Sequence, residues 1–192
     1  MKEFLRRLGS FFLDILQTFV LALSLFVISY LFLFQPHQVR GSSMHQNFEN
    51  DDFLLTDKIS YRFGEPKRGD VVIFRAPPSE PCSEEECEYI KRIIALPGEK
   101  LEVKDGAYFI NDQRLTENYL PKEIITSPGT FMTSGKSIIL GEYEYFVSGD
   151  NRPYSHDSRS FGTIKKTAIV GKAWLRYWPP SKIGLIPKAG FD

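Results

Sequence analysis

The strongest pattern along the chain is an apolar run from about Phe11 to Phe34, close to the N-terminus. As a helix of about 24 residues with a rise of ~1.5 Å each, it would extend about 36 Å, enough to cross a hydrocarbon layer of about 30 Å. Asp14 and Gln17 lie in its first turns, where polar groups near the interface are tolerated better than at the midplane. The pattern therefore predicts a transmembrane helix over residues 11–34.

The residues on either side of this run indicate its orientation. Basic residues outnumber acidic ones over residues 1–10, so we expect this segment to stay in the cytoplasm and residues 35–192 to lie outside. The alternatives are a buried core helix and a cleaved secretory signal. Its apolar region is usually about 7 to 15 residues long and ends at a small-x-small site, whereas this run ends in Phe34-Gln35-Pro36-His37. The pattern favours an uncleaved anchor.

Beyond the anchor the apolar positions no longer follow a helical period. Short β-branched and aromatic runs alternate with turn residues instead, as in residues 53–55, 70–74 and 89–94. Pro36 stops the propagation of the helix just before these runs begin. The predicted fold class is therefore mostly β, with a single N-terminal transmembrane helix followed by a β-rich domain over residues 35–192.

Turn residues divide the second part of the chain. The clearest hairpin joins residues 100–104 to residues 107–110 through Asp105-Gly106, a dipeptide that suits a two-residue type I′ turn. Pro97-Gly98 predicts another turn, directly after the strand at residues 89–94.

Residues 116–137 are richer in Pro, Ser, Thr and Gly, which predicts a less regular insertion. Ile138 to Val147 resumes a strand pattern, and Thr167 to Trp178 forms another. Gly171, inside the latter, indicates a bulge or a close approach of another backbone.

Composition limits the possible partners and cross-links. A chain of 192 residues is long enough for one anchor and one domain with its own core, and its zero formal net charge shows no basic excess for nucleic acid. Cys82 and Cys87 close a short loop, and in an oxidising compartment they predict a disulfide that would contribute about 2 kcal/mol. Free thiols are the alternative. A structural zinc site wants four ligands, and no second Cys or His pair is nearby.

A candidate nucleophile follows the anchor directly. Ser43 lies in Gly41-Ser42-Ser43-Met44, and a serine hydroxyl needs a base within hydrogen-bond reach to attack a carbonyl. His45 is too close along the chain for an easy approach of its ring, and His37 lies at the membrane exit. The carboxylate that follows His156 would point to the opposite face of an extended chain. The three histidines are therefore poor candidates for the base.

Lys91, in Tyr89-Ile90-Lys91-Arg92, is the better candidate for the base. Lysine accepts a proton only when neutral, and at a pKa of ~10.4 only about one in 2,500 is neutral at pH 7. Burial would have to lower the pKa by about 2 to 3 units. The apolar neighbours of Lys91 favour burial, while Arg92 points to the opposite face of the strand. A lysine that faces solvent on an edge strand is the alternative.

A polar stretch from Gly149 to Gly162 lies between two strand patterns and would ordinarily form an exposed loop. If the stretch instead forms a tight turn, the Ser155 hydroxyl in its middle would be left to hydrogen-bond Lys91 and hold its amine. Two aspartates and two arginines favour a tight turn held by carboxylate–guanidinium pairs: Asp150, Arg152, Asp157 and Arg159.

These three stretches together resemble the bacterial type I signal peptidases. Gly41-Ser42-Ser43-Met44 resembles that family's G-x-S-M box, and residues 91–99 resemble its K-R-x-x-x-x-P-G-D box. Gly149 to Gly162 is similar to its G-D-N-R-x-x-S-x-D-S-R-x-x-G box. The resemblance spans roughly residues 39–184 together with the anchor, and it implies a signal-peptidase-like catalytic domain.

The resemblance also implies a role for each matching residue. Ser43 would be the nucleophile and Lys91 the general base, with the backbone N–H of Ser43 as an oxyanion donor. Met44 is a supporting residue of the first box, and Gly41 lacks the serine hydroxyl that some members carry at its position. Three further supporting positions would orient the lysine and hold the third box as a unit: Ser155, Asp157 and Arg159.

The function implied by the resemblance is a membrane-bound serine endopeptidase. It would remove signal peptides from exported preproteins after small-x-small motifs, in the bacterial cytoplasmic (inner) membrane. The expected partners are exported preproteins and the lipid bilayer, without nucleic acid, and we expect a monomer. No metal or organic cofactor is expected, because water resolves the acyl-enzyme. The substrate would bind as an extended strand beside an exposed strand near Ser43.

One departure from the family pattern leaves alternatives open. Members usually continue S-M-x-P-T, whereas here the sequence continues His45-Gln46-Asn47, so Gln46 replaces the proline. This change favours, as an alternative, a specialised peptidase of the same class with few substrates; a non-catalytic homologue that binds preproteins is the other. Trp174 and Trp178 are interpreted either as anchors at the membrane interface or as ordinary core aromatics.

Overall fold

The computed structural model describes residues 2–81 and 87–191. It begins with helix α1, Lys2–Phe32, whose apolar part, residues 6–30, has a mean hydropathy of 2.3 and is not buried against the rest of the described chain. The helix includes the basic N-terminal residues and ends slightly earlier than predicted, because Phe34 already begins a strand. The predicted disulfide between Cys82 and Cys87 involves Cys82, which lies outside the described residues.

The main sheet is built from eight strands in the order β1-β2-β11-β3-β4-β9-β10, with the short β12 paired to β11. Neighbouring strands in this sheet are antiparallel. The strands of this sheet are β1 Phe34–Gln38, β2 Phe53–Asp57, β3 Val71–Arg75, β4 Glu88–Ala95, β9 Glu144–Ser148, β10 Ile164–Lys165, β11 Ile169–Trp178 and β12 Gly184–Leu185.

The second sheet has four strands in the order β7-β6-β5-β8. The predicted hairpin between β5 and β6 is confirmed: Asp105 and Gly106 have φ values of +49° and +71°, as a type I′ turn requires. The strands of this sheet are β5 Lys100–Lys104, β6 Ala107–Ile110, β7 Gln113–Arg114 and β8 Ser137–Ile139.

The described part of the domain also contains two short α-helices, α2 Ser60–Phe63 and α3 Ser158–Phe161. It has 3₁₀ turns at Arg152–Tyr154, Lys166–Ala168 and Pro180–Lys182. The predicted fold class, an apolar N-terminal helix followed by a β-rich domain, is confirmed.

The single strand predicted from Ile138 to Val147 is wrong. This segment forms β8 and β9, which belong to different sheets and are separated by a turn in which the Glu144 backbone N–H donates to the carbonyl of Gly141 at 3.1 Å. The Glu144 carboxylate also accepts from the Gly141 backbone N–H at 3.0 Å, which closes the turn from both directions. The apolar alternation on both sides of Gly141 concealed the break.

The main sheet is curled, because one buried cluster joins the two ends of the run β1-β2-β11-β3-β4. Val39 just after β1, Leu54 of β2, Ile73 of β3 and Ala173 of β11 belong to this cluster, and Ile90 of β4 packs against it. The outer edges of β1 and β4 therefore approach each other. Ser43 follows β1 and Lys91 lies on β4, so this curl brings the two candidate catalytic segments together.

Gly171 occupies the most crowded backbone position in β11. A Cβ atom there would overlap the carbonyl oxygen of Asp57 and lie 2.8 Å from a methyl group of Thr56 on the neighbouring β2. The register between β11 and β3 shifts between Ile169 and Gly171, which marks a bulge. Both features that the sequence indicated at Gly171 are present.

We expect Gly171→Ala to lower the free energy of unfolding by about 1–3 kcal/mol, because the added methyl group forces two paired backbones apart. Urea unfolding of the full chain in detergent micelles, followed by tryptophan fluorescence, measures the change. Gly184→Ala is the matched control, since nothing lies within 4 Å of a Cβ at that position. Equal midpoints for the two variants would show that the contact between β11 and β2 imposes no constraint.

Candidate active site

The two residues proposed from sequence as nucleophile and base lie within hydrogen-bond reach of each other. Nζ of Lys91 is 2.8 Å from Oγ of Ser43, and it also donates to the carbonyl oxygen of Ile90 at 3.1 Å. Ser43 lies in a turn after β1, and Lys91 lies on β4. A pair in this geometry can pass a proton from the hydroxyl to a neutral amine.

Lys91 is buried, with 5% of its surface exposed. Its burial rules out the alternative of a lysine that faces solvent, although the pairing of β4 with β9 begins only at the next residue, Arg92. Burial lowers the pKa of Lys91 to about 8, against the opposing charges of Asp157 and Asp150, while Arg159 lowers it further. About one amine in ten is then neutral at pH 7.

The three histidines are engaged elsewhere or face solvent. His37 contacts Glu88 at 2.7 Å, and His156 contacts Glu80 at 2.8 Å. His45 is exposed. Among the described residues, Lys91 is the side chain that hydrogen-bonds Oγ of Ser43.

The turn that carries Ser43 is held by the loop after β9. The Asn151 backbone N–H donates to the carbonyl oxygen of Ser43 at 3.0 Å, and its side-chain amide donates to that of Ser42 at 2.9 Å. Met44 is almost completely buried, and its sulfur accepts from the Asp150 backbone N–H at 3.4 Å. Residues 150 and 151, at the start of the third box, thus fix the backbone on both sides of the candidate nucleophile. Sequence reasoning assigned no role to Asn151, although it lies within the third box.

Arg92 points away from Lys91, as the alternation along β4 predicts, and it forms a buried ion pair. Its Nε and Nη2 donate to the two carboxylate oxygens of Asp150 at 2.9 and 2.7 Å, and neither side chain has more than 3% exposed surface. Arg92 also donates to the carbonyl of Gly69 at 2.9 Å, and its guanidinium lies 4.1 Å from the ring centre of Tyr119. This pair ties β4 to the loop that holds Ser43.

Only one of the two carboxylate–guanidinium pairs expected inside the third box is formed there. Asp157 accepts from Nε and Nη2 of Arg159 at 2.8 Å each, and from the Gly149 backbone N–H at 3.0 Å. Burial alone would raise the pKa of Asp157, but the hydrogen bonds and charge of Arg159 keep the pKa below its ordinary value. The Asp157 carboxylate is therefore held ionised beside the lysine.

Asp150 and Arg152 do not form a carboxylate–guanidinium pair within the third box, contrary to the expectation that all four charged residues do so. Asp150 binds Arg92, and Arg152 binds Glu117 and the hydroxyl of Thr126, both from the segment between β7 and β8. These partners lie far apart in sequence, so the local pattern of the box gave no signal for them.

Ser155 does not make the hydrogen bond to Lys91 that the sequence suggested. Its hydroxyl oxygen is buried and has no hydrogen-bond partner among the described residues. It lies against Gly149, where a Cβ atom would collide with both Oγ of Ser155 and the carbonyl oxygen of Ser43. The close packing of these three residues explains why position 149 is a glycine.

Comparisons with known proteins show which family the chain resembles. The family model described as signal peptidase, peptidase S26, matches residues 12–178. A probable signal peptidase I-2 from Synechocystis is 32% identical over 174 residues, which cover 91% of this chain and 77% of the relative. A signal peptidase IB from Staphylococcus aureus is 30% identical over 183 residues, covering 88% and 92%. A crystal structure of a signal peptidase I from Enterococcus faecalis is 31% identical, covers 56% of this chain and 96% of that one, and aligns with a TM-score of 0.45.

We expect Asp150→Ala to lower the free energy of unfolding by about 3–5 kcal/mol, because it leaves the Arg92 guanidinium buried without its counterion. Chemical unfolding of the full chain in micelles measures the loss. Lys100→Met is the matched control, since it removes the partner of Asp112 from a largely exposed pair and should leave the unfolding midpoint unchanged. Similar midpoints for both variants would show that the buried pair contributes no more than an exposed one.

Proposed function

Because the chain belongs to the signal peptidase family, peptidase S26, we propose that it removes signal peptides from exported preproteins with Ser43 as nucleophile and neutral Lys91 as general base. The observation that carries this proposal is the 2.8 Å contact between Nζ of Lys91 and Oγ of Ser43 in a buried environment. An amine that is neutral in a useful fraction of molecules near neutral pH needs no histidine to activate the serine.

The proposed reaction follows from this geometry. Neutral Lys91 takes the proton of the Ser43 hydroxyl as Oγ bonds to the carbonyl carbon of the scissile peptide, and the negative charge moves to the carbonyl oxygen. The backbone N–H of Ser43 donates to that oxyanion. The Lys91 ammonium then gives its proton to the leaving amine, so the C–N bond breaks and an acyl-enzyme remains. Water, deprotonated by Lys91, releases the acid and restores the serine hydroxyl.

The substrate would lie along the unpaired part of β4. The pairing of β4 with β9 begins at Arg92, so residues 88–91 have no strand paired to that side within the described ranges 2–81 and 87–191, next to the Ser43 turn. An extended peptide can add to such an edge through its backbone. Ile90 faces the closely packed cluster that contains Val39 and Met44, which leaves room for only a small substrate side chain. This arrangement supports cleavage after small-x-small motifs.

A specialised peptidase with few substrates is the second candidate, and one backbone angle favours it. Gln46, which stands where family members usually have proline, has a φ of +86°. Proline is restricted to a φ near −65°, so the turn after Ser43 has a conformation that proline does not permit. If this turn borders the substrate, its different path would change which preproteins fit.

The domain would be anchored in the bacterial cytoplasmic membrane through residues 11–34, with residues 1–10 in the cytoplasm and the domain outside. Trp174 and Trp178 support contact with the bilayer, because 40% and 52% of their surfaces are exposed, which argues against the core alternative. The Trp174 ring stacks on Phe34, just beyond α1, with ring centres 5.3 Å apart. Aromatic side chains in such positions favour the membrane–water interface.

We expect wild-type full chain in detergent micelles to cleave a preprotein with an Ala-x-Ala site, and Ser43→Ala and Lys91→Met to lose cleavage by at least about 10²-fold to 10⁴-fold. For the wild type, kcat/KM should rise with pH through an ionisation near 8, because the base is active only when its proton has left. Gel-based kinetics over a pH series measures both effects.

Lys100→Met is the matched control for Lys91→Met, because Lys100 is bound to Asp112 on the second sheet. It should keep both the rate and the pH profile of the wild type. Cleavage by Lys91→Met at the wild-type rate would exclude Lys91 as the base. Cleavage of only one or a few of several Ala-x-Ala preproteins would favour the specialised peptidase.

We expect lipids brominated in the upper acyl chain to quench the tryptophan fluorescence of the reconstituted protein. The chain has only two tryptophans, so the signal reports on Trp174 and Trp178 alone. Trp174→Phe and Trp178→Phe variants separate the two contributions, and unbrominated vesicles provide the reference. Equal emission in both kinds of vesicle would show that this surface does not reach the acyl chains.

A further inference from the structure

Two unpaired strand edges border the candidate active site. Among the described residues, β1 is the terminal strand of the main sheet and pairs with β2 alone, and β4 is unpaired toward β9 over residues 88–91. The curl of the sheet brings these edges together, since His37 of β1 and Glu88 of β4 contact each other at 2.7 Å. An extended peptide that reaches Ser43 along β4 would therefore lie between the two edges.

The direction of that peptide follows from what covers β4. Beyond Arg92 the edge is occupied by β9, so residues upstream of the scissile bond can pair with β4 only from Lys91 toward Glu88. Ile90 and Glu88 are two positions apart and point to the same face. The first small residue before the cut would face Ile90, and the second small residue, two positions upstream, would face Glu88.

The groove also opens toward the anchor at the Glu88 end. A cavity of about 410 Å³ is lined both by Tyr30, near the end of α1, and by Glu88, and Lys58 and Arg75 border it as well. A signal peptide that leaves the bilayer beside α1 would thus meet Glu88 before it meets Ser43.

The side chains at the Glu88 end of the groove are polar. Nε2 of His37 lies 2.7 Å from Oε2 of Glu88, and Nδ1 of His37 lies 2.8 Å from Oγ1 of Thr56, which is completely buried. The hydrogen bond from His37 holds the pKa of Glu88 below its ordinary value although burial opposes this, and the charges of Arg75 and Lys58 add to the effect. Within the described part of the chain, His37 engages only Oε2, so Oε1 of the carboxylate is left to accept a further hydrogen bond.

We propose that His37 and Glu88 form the floor of the subsite for the second small residue upstream of the cut, and that they select a hydrogen-bonding side chain over an aliphatic one of the same shape. A threonine hydroxyl there would donate to Oε1 of Glu88. A valine methyl group would cover the same carboxylate and remove water from it without replacing the lost hydrogen bond. This inference rests on the proposed function, because it assigns a subsite of the same groove.

The test compares two peptides that differ only at this position, Thr-x-Ala and Val-x-Ala, cleaved by full-length protein in micelles. We expect the wild type to show a kcat/KM about threefold to tenfold higher for the threonine peptide, the range that one hydrogen bond provides. Exchanging threonine and valine at the intervening x position is the internal control. The side chain at x points to the other face of the peptide. The ratio of kcat/KM between the peptides with threonine and valine at x should therefore be the same in every variant.

Substitutions of His37 and Glu88 then test whether the preference for threonine depends on this pair. His37→Leu/Glu88→Leu should abolish or invert the threonine preference, whereas Glu88→Gln, which keeps an oxygen acceptor, should retain it. His156→Leu/Glu80→Leu removes the other histidine–glutamate pair, whose members lie 2.8 Å apart, and should leave the ratio at its wild-type value. The wild-type comparison needs no substitution, so the proposal does not depend on any variant folding.

The outcomes separate this inference from the proposed function. If the wild type cleaves an Ala-x-Ala peptide but cleaves the valine peptide as well as the threonine peptide, the subsite assignment fails and the peptidase stands. A threonine preference that persists in His37→Leu/Glu88→Leu also overturns the assignment. If the wild type cleaves no small-x-small peptide or preprotein, both proposals fall.

Discussion

The burial of the Lys91 amine without a carboxylate bound to it is the constraint on which the candidate site depends. Each of the three buried arginines binds a carboxylate, whereas Lys91 contacts a hydroxyl and a carbonyl: Arg92–Asp150, Arg152–Glu117 and Arg159–Asp157 are the pairs. Asp150 and Asp157 are close enough to oppose the lowering of the lysine pKa. Because their oxygens are bound by arginines, neither carboxylate forms a salt bridge with the amine, and burial remains the dominant effect.

The curled sheet connects this electrostatic arrangement to the shape of the groove. Ile90 and Lys91 are adjacent on β4 and point to opposite faces, one toward the apolar cluster and the other toward Ser43 and the third box. The same strand therefore contributes the proposed base, part of the proposed substrate edge and a wall of the core. A change in the path of β4 would move all three together, which explains why Arg92, the next residue, is fixed by a buried pair to Asp150.

Local signals in the sequence predicted the elements that depend on neighbouring residues. Asp105-Gly106 predicted its hairpin, since positive φ at both positions is a property of the turn itself. The contact between Ser43 and Lys91 was also expected, because few residue types can activate a serine and the three histidines were poorly placed. The burial of the lysine was a requirement of that chemistry rather than a visible property of the strand.

The errors concern partners that only the tertiary structure brings together. Asp150 and Arg152 are close in sequence and opposite in charge, yet each binds a residue from a distant segment, because the short 3₁₀ turn at Arg152–Tyr154 directs Arg152 toward Glu117. Ser155 approaches Gly149 and the Ser43 carbonyl instead of the lysine. The break at Gly141 was missed because the apolar alternation continues across the turn, although the two strands join different sheets.

The hydrogen bonds of Asn151 have a consequence for the moment at which the proposed enzyme becomes active. The amide of Asn151 binds the carbonyl of Ser42 across 109 positions of the chain. With the proposed topology, a chain exported from its N-terminus would present Ser43 outside the membrane well before the loop that fixes it arrives. Until then Lys91 would remain in water and keep its proton. A partly translocated copy of the proposed enzyme would therefore be inert, and its own anchor, an apolar segment like that of its proposed substrates, would emerge beside a protease that has not yet assembled.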